Sequence, residues 1–124
     1  NSYVIVKVPS LMPGNWRVIV ANEEGETEYS ADFQVTAGSP GPGICLLDPS
    51  YGFEEQVIDV YGDNFGQEQG FGAVEYYGGE AGKITYWSNQ KITAEAPIKV
   101  QSGPLKIKAN SGGLSNGLLY KRLY

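Results

Sequence analysis

The sequence has no histidine, one cysteine and one methionine. Without imidazole, neither a Ser-His-Asp relay nor the imidazole and thiolate cages that hold zinc can be assembled. A single thiol also forbids an internal disulfide, so any core must be held by packing alone. Basic residues are scarce: nine Lys and Arg against 14 Asp and Glu give a formal charge of -5. Such a chain lacks the electrostatic footprint that phosphate backbones or anionic lipid surfaces require, which argues against nucleic-acid and membrane-surface partners. No apolar run is long enough to cross a bilayer, and no window repeats its apolar residues at the helical period. At 124 residues there is room for one ordinary domain, or one small sandwich plus a fragment, and not for a large enzyme core.

What the chain does have is 17 glycines, seven prolines and nine tyrosines among many Val, Ile and Thr residues, a composition of strands joined by tight turns. The clearest stretch is Gly103–Asn116. Leu105, Ile107 and Ala109 alternate with Lys106 and Lys108, the two-residue period of a half-buried strand. Gly112-Gly113 then permits a tight reversal, and Leu118, Leu119 and Tyr120 return along the same surface. The same signature occurs earlier. Trp16, Val18 and Val20 alternate with Arg17 and Ile19, a turn falls at Glu24-Gly25, and Tyr29, Ala31 and Phe33 return.

Between these hairpins the pattern predicts strands at Tyr3–Pro9, Trp16–Ala21, Glu28–Val35, Ile44–Leu47, Gln56–Tyr61, Ala73–Tyr77, Ile84–Trp87 and Lys91–Ala96. Val4, Val6 and Val8 run into Pro9 as Ile92, Ala94 and Ala96 run into Pro97, and Gly14 corresponds to Gly103. The offset between matching positions, Tyr3 to Lys91 and Gly14 to Gly103, is 88 or 89 residues, a length that suits a seven-strand sandwich. Residues 1–36 therefore read as the closing strands of one unit, 37–43 as a Pro/Gly linker, and 44–124 as a whole unit.

Six motifs in this order carry a family resemblance: Asp48-Pro-Ser-Tyr-Gly52, Gly62-Asp-Asn-Phe-Gly66, Val74-Glu-Tyr-Tyr-Gly78, Trp87-Ser88, Ile92–Pro97, and Gly103 through Ser115-Asn116. Together they resemble the IPT/TIG family of immunoglobulin-like domains, over 44–124 in full and over 1–36 by its ending. Tyr76 stands where phenylalanine is common, and the loop Gln67–Gly72 is glutamine-rich. The resemblance implies an all-β, immunoglobulin-like β-sandwich, one complete copy preceded by the C-terminal strands of another. It also implies a building module of bacterial extracellular or cell-surface proteins, beside carbohydrate-active domains, with no catalytic residues and no cofactor to carry over. Some family members contact DNA through basic edges, which this acidic chain lacks.

Cys45, inside the apolar run Ile44–Leu47, is expected to be a buried small hydrophobe. Trp87 is expected to pack against a neighbouring loop rather than stack on a ligand. Tyr51, Phe53, Phe65, Tyr77 and Tyr86 could form an aromatic platform for a sugar ring, although packing explains most of them equally well. Asp48, Glu54, Glu55, Asp63 and Glu68 lie in or near loops but without the spacing of a calcium loop, so no metal site is expected. No enzymatic activity is expected either.

The unfinished first unit is the most informative feature. Three strands cannot bury both faces of a sandwich, so Val4, Val6, Val8, Trp16, Val18, Val20, Tyr29 and Phe33 need cover and form a candidate interface for partner strands. Upstream strands of a longer chain, strands exchanged with a neighbouring chain, or the complete unit itself could supply it. The resulting expectation is a non-catalytic spacer or assembly module with protein partners from the same or a neighbouring chain. The alternative is a carbohydrate-binding module accessory to a glycan-active or glycan-capturing protein.

Overall fold

Alternating side chains become paired strands along nearly half of the chain, as a computed structural model describing residues 4–28 and 32–124 shows. Lys7–Ser39 form one unit, and Pro40–Tyr124 with residues 4–6 form another. Strands β1 (Gly14–Trp16), β2 (Ile19–Asn22), β3 (Gly25–Glu28) and β4 (Phe33–Val35) belong to the first. The second contains β5 (Gly43–Asp48), β6 (Tyr51–Gly52), β7 (Val57–Asp63), β8 (Ala73–Tyr76), β9 (Gly79–Glu80), β10 (Lys83–Trp87), β11 (Lys91–Glu95), β12 (Gly103–Lys108) and β13 (Leu118–Arg122). The fold is all-β, and its larger unit is an immunoglobulin-like β-sandwich.

In that unit the four-stranded sheet has the order β10-β11-β7-β5 and the five-stranded sheet the order β6-β13-β12-β8-β9. All pairings are antiparallel except β6 with β13, where Tyr51 faces Lys121 and Gly52 faces Arg122 in parallel register. Each central strand turns every second side chain inward: Ile58 and Val60, Ile92 and Ala94, Val74 and Tyr76, Leu105 and Ile107. Lys106 and Lys108 face solvent on the alternate positions of β12. Fully burying each large aliphatic contributes roughly 1.5–3 kcal/mol, which makes this shared interior the main source of stability. Tyr76 and Tyr120 meet inside it edge to face, with ring centres 5.4 Å apart.

Polar side chains complete the seams. The Ile44 amide donates to Asn116 Oδ1 at 2.7 Å, and Asn116 Nδ2 donates back to the Ile44 carbonyl at 3.0 Å, so one side chain does for β5 what a neighbouring strand would. Ser115 Oγ accepts from the Ile107 amide at 2.8 Å and donates to the Asn116 carbonyl at 2.7 Å. Close approach also dictates Gly62, because a Cβ there would lie 2.0 Å from the Gly43 carbonyl oxygen of the paired strand.

The smaller unit departs from the expected pattern. Trp16–Ala21 is interrupted between β1 and β2, β3 and β4 stand where one return strand was expected, and residues 4–9, of which 4–6 belong to the other unit, form no strand. Two short pairs result, β1 with β4 and β2 with β3. Asn22 Oδ1 accepts from the amides of Glu24 and Gly25 and fixes the tight turn of the second pair. A two-stranded ribbon has no facing sheet to hold long strands straight and twists more strongly than a sheet in a sandwich, so its pairing breaks into short pieces. Tyr29 and Ala31 lie outside the described residues.

Cys45 is exposed, contrary to the expectation of burial. The reason is a β-bulge. Ile44 pairs with Gly62 but Leu46 pairs with Tyr61, which leaves Cys45 as the extra residue on β5 and shifts the inward face from Ile44 to Leu47.

Candidate functional site

A second bulge, on the other edge of the same sheet, builds the most distinctive surface of the larger unit. Ile84 pairs with Ala94, and Tyr86 pairs with Thr93, so Thr85 is the extra residue on β10. In strict alternation Tyr86 would follow Ile84 inward; the bulge turns it to the outer face, where it is 52% exposed. The β5 bulge does the same for Leu46, placing it outside and in register with Tyr61. Both edge strands thus deliver a large side chain to one outer face.

Between them lie Tyr61 on β7 and Lys91 on β11, which are directly paired. Lys91 Nζ sits 5.6 Å from the centre of the Tyr61 ring and 5.8 Å from that of Tyr86, within cation–π range of both. In the next row Thr93 Oγ1 donates to Asp59 Oδ1 at 2.7 Å, while Asp59 Oδ2 stands 3.8 Å from Lys91 Nζ. Strand spacing puts β10 and β7 about 9.5 Å apart. The face therefore offers two aromatic rings separated by a neutralised acid–base pair and a hydroxyl. Such a surface can take the C–H faces of two sugar rings and hydrogen-bond the hydroxyls between them.

The other residues of the expected aromatic platform are dispersed. Tyr51 lines an apolar cleft of about 540 Å³ with Ile5, Leu46, Leu118 and Leu119. Phe53 is exposed, and its carbonyl accepts from the Tyr120 hydroxyl at 3.4 Å. Tyr77 is exposed beside Gly103. Phe65 is fully buried in the core and is corrected from platform to packing residue. Only Tyr86 joins the sheet-face cluster. Tyr61, Lys91, Asp59 and Thr93 were not singled out by sequence. Their signal was the polar alternation of β7 and β11, but bringing them together requires the register between strands.

Trp87 packs partly buried against the core, and its indole N–H donates to the Gly66 carbonyl at 3.2 Å. Trp16 is more open, with its indole N–H donating to the Met12 carbonyl at 2.9 Å. Val4, Val6, Val8, Trp16, Val18, Val20 and Phe33 are all exposed within the single chain. Tyr29, the remaining residue of that candidate interface, lies outside the described residues. Among the described residues, no three or more Cys, Asp or Glu side chains come together as a metal-ligand set.

Burial pushes the Tyr76 phenol well above its usual range, and the neighbouring Tyr120 adds to the shift. Burial raises Tyr120 as well. Both belong to the core rather than to the exposed face.

No family model matches the sequence, and no curated protein does. Solved structures do match the fold. An auxiliary nutrient binding protein from Bacteroides thetaiotaomicron superposes with a TM-score of 0.60 at 18% identity, covering 68% of this chain and 21% of that one. The gamma-CGTase of an alkalophilic Bacillus clarkii gives 0.58 at 21% identity, covering 85% and 17%. SGBP-B from a complex xyloglucan utilization locus in Bacteroides uniformis gives 0.52 at 16% identity, covering 92% and 31%. The chain thus spans between about a sixth and a third of these longer proteins, and at such identities the likeness is one of fold.

Proposed function

We propose that this chain is a non-catalytic carbohydrate-binding module of a larger bacterial extracellular or cell-surface protein, with residues 44–124 an IPT/TIG-type sandwich. The observation that carries the reading is the outer face of the four-stranded sheet, where two edge bulges present Leu46 and Tyr86 alongside Tyr61 and Lys91. Its ligand is an extended, uncharged oligosaccharide lying across the strands. The spacing of β10 and β7 suits rings two units apart along such a chain, and Asp48, in register with Asp59 on the same face, adds negative charge that disfavours an acidic sugar. Support also comes from the recurrence of this fold inside longer nutrient-binding and carbohydrate-related proteins.

Isothermal titration of the whole chain with neutral oligosaccharides of increasing length, including xylogluco- and cello-oligosaccharides, tests the proposal. Affinity should rise with length up to three or four sugars, and Tyr86→Ala should weaken it about tenfold, equivalent to about 1.4 kcal/mol. Unchanged binding by Tyr86→Ala would remove the sheet face from the reading. No heat with any oligosaccharide would remove carbohydrate binding itself.

The exposure of Val4, Val6, Val8, Val18 and Val20 favours a second reading, that of a spacer and assembly unit completed by strands of another chain. Light scattering decides it: a concentration-independent monomer would refute exchange between chains.

A further inference from the structure

We infer that the sandwich carries a separate site for a terminal sugar ring, made by Phe71 and the recess lined by Asn110. Phe71 is 90% exposed, the most open phenylalanine among the described residues. Burying such a ring would stabilise the fold, and the chain forgoes this. Nor is the ring out because its loop is slack. The Phe71 amide donates to Asn110 Oδ1 at 2.8 Å, the Gly72 amide donates to the Gln69 carbonyl at 2.6 Å, and Gln69 Nε2 donates to the Gly72 carbonyl at 3.1 Å. Gly70 sits at φ +50°, and a Cβ there would come within 2.4 Å of the Asn110 side chain, so the loop is shaped around that amide.

Asn110 also lines an open recess of about 400 Å³ with Asn64, Gln67, Glu68 and Ser111. These side chains donate and accept hydrogen bonds in the mixed pattern that vicinal hydroxyls require. Preceding turns are fixed as well: the Gly66 amide donates to Asn89 Oδ1 at 3.0 Å and the Asn64 amide to Asp63 Oδ1 at 2.9 Å. An exposed aromatic ring on a loop whose backbone is pinned to Asn110, a residue that also lines the recess, suits one pyranose, its C–H face on Phe71 and its hydroxyls toward the recess. Glu68 and the chain's net charge of -5 select a neutral sugar over a uronic acid.

The ligand's class rests on the carbohydrate reading above, but the residues are different, and the test separates them. Nitrogen-15 NMR titrations of the whole chain use methyl glycosides of glucose, galactose, mannose and xylose, with methyl glucuronide as the charged control. At least one neutral glycoside should shift the Phe71, Asn110 and Ser111 amides in the wild type and in Tyr86→Ala. Phe71→Ala should weaken that binding about tenfold, and Phe71→Tyr should restore it. Ring exposure makes both Phe71 variants neutral for folding, which their thermal midpoints verify. Silence at Phe71 and Asn110 with every neutral glycoside, while long oligosaccharides still shift Tyr86, overturns the terminal-sugar site and leaves the sheet face standing. Shifts at Phe71 without loss at Tyr86→Ala in the oligosaccharide titration do the reverse. A glucuronide that binds as well as the neutral sugars overturns the selectivity.

Discussion

The alternating apolar pattern occurs at both ends of this chain, and only one occurrence closes around a core. In the larger unit Leu105 and Ile107 are fully buried because β12 faces β5 and its neighbours across a second sheet. In the smaller unit Trp16, Val18 and Val20 repeat the motif and stay 38–50% exposed. Period-two alternation therefore specifies what a strand could bury, and a facing layer decides whether it does. The largest expected effect exploits this contrast. Leu105→Ala should lower the stability of the larger unit by about 2–5 kcal/mol, whereas Val20→Ala should change urea unfolding by no more than about 0.5 kcal/mol. Comparable losses from both substitutions would mean that Val20 is covered in solution, as strand exchange requires.

The next effect concerns how the closed unit is sealed. Ile44 is 2% exposed, yet both its amide and its carbonyl bond to the Asn116 side chain rather than only to strands. Asn116→Ala would leave two partly buried backbone groups without this partner and should cost about 1–3 kcal/mol. Asn116→Asp keeps the acceptor but loses the donor, and should fall between Asn and Ala in the same denaturation series.

How much of this was legible in the sequence follows from the same physics. The inward faces of β7, β8, β11 and β12 followed from alternation alone, because regular strands between two layers obey it. The Cys45 position did not, since a bulge changes the parity of a strand without changing its composition. Tyr86 was recognised as a candidate, but Tyr61 lies 25 residues before it and 30 before Lys91, and only the registers of β10 with β11 and of β11 with β7 bring the three together. Phe71 was passed over inside a glutamine-rich loop. Its fixed conformation comes from Asn110, on a turn far along the chain, which local sequence cannot announce. Of the strand expected at Tyr3–Pro9, the described residues 4–9 form none although their alternation is regular, because period-two patterning does not itself supply a pairing partner.

A pH dependence is expected of the larger unit, whose core holds two phenols, Tyr76 and Tyr120. Tyr76 and Tyr120 have their phenol pKa values raised by burial in the folded state, so the folded protein holds these protons more tightly than the unfolded chain. The stabilisation is fully present below the ordinary phenol value of about 10 and is lost as pH rises from there toward the folded values. Tyr76→Phe removes the largest of these titrations. Its thermal midpoint should therefore decline less than that of the wild type between pH 10 and 12; parallel declines would show that Tyr76 does not govern the alkaline limit.

The smallest effect is spectroscopic and reads each unit through its own tryptophan. Trp87 is partly buried, packs against the core and donates to the Gly66 carbonyl, whereas Trp16 is 40% exposed on a two-stranded ribbon. Acrylamide should quench Trp16 more readily, so the wild type should show a curved quenching plot. Trp16→Phe should leave a single, poorly quenched component and alter stability by no more than about 0.5 kcal/mol. If Trp16 instead resists quenching as well as Trp87 does, and becomes accessible on dilution, a second molecule covers the ribbon. The two occurrences of the pattern would then both be closed, one by its own chain and the other by association.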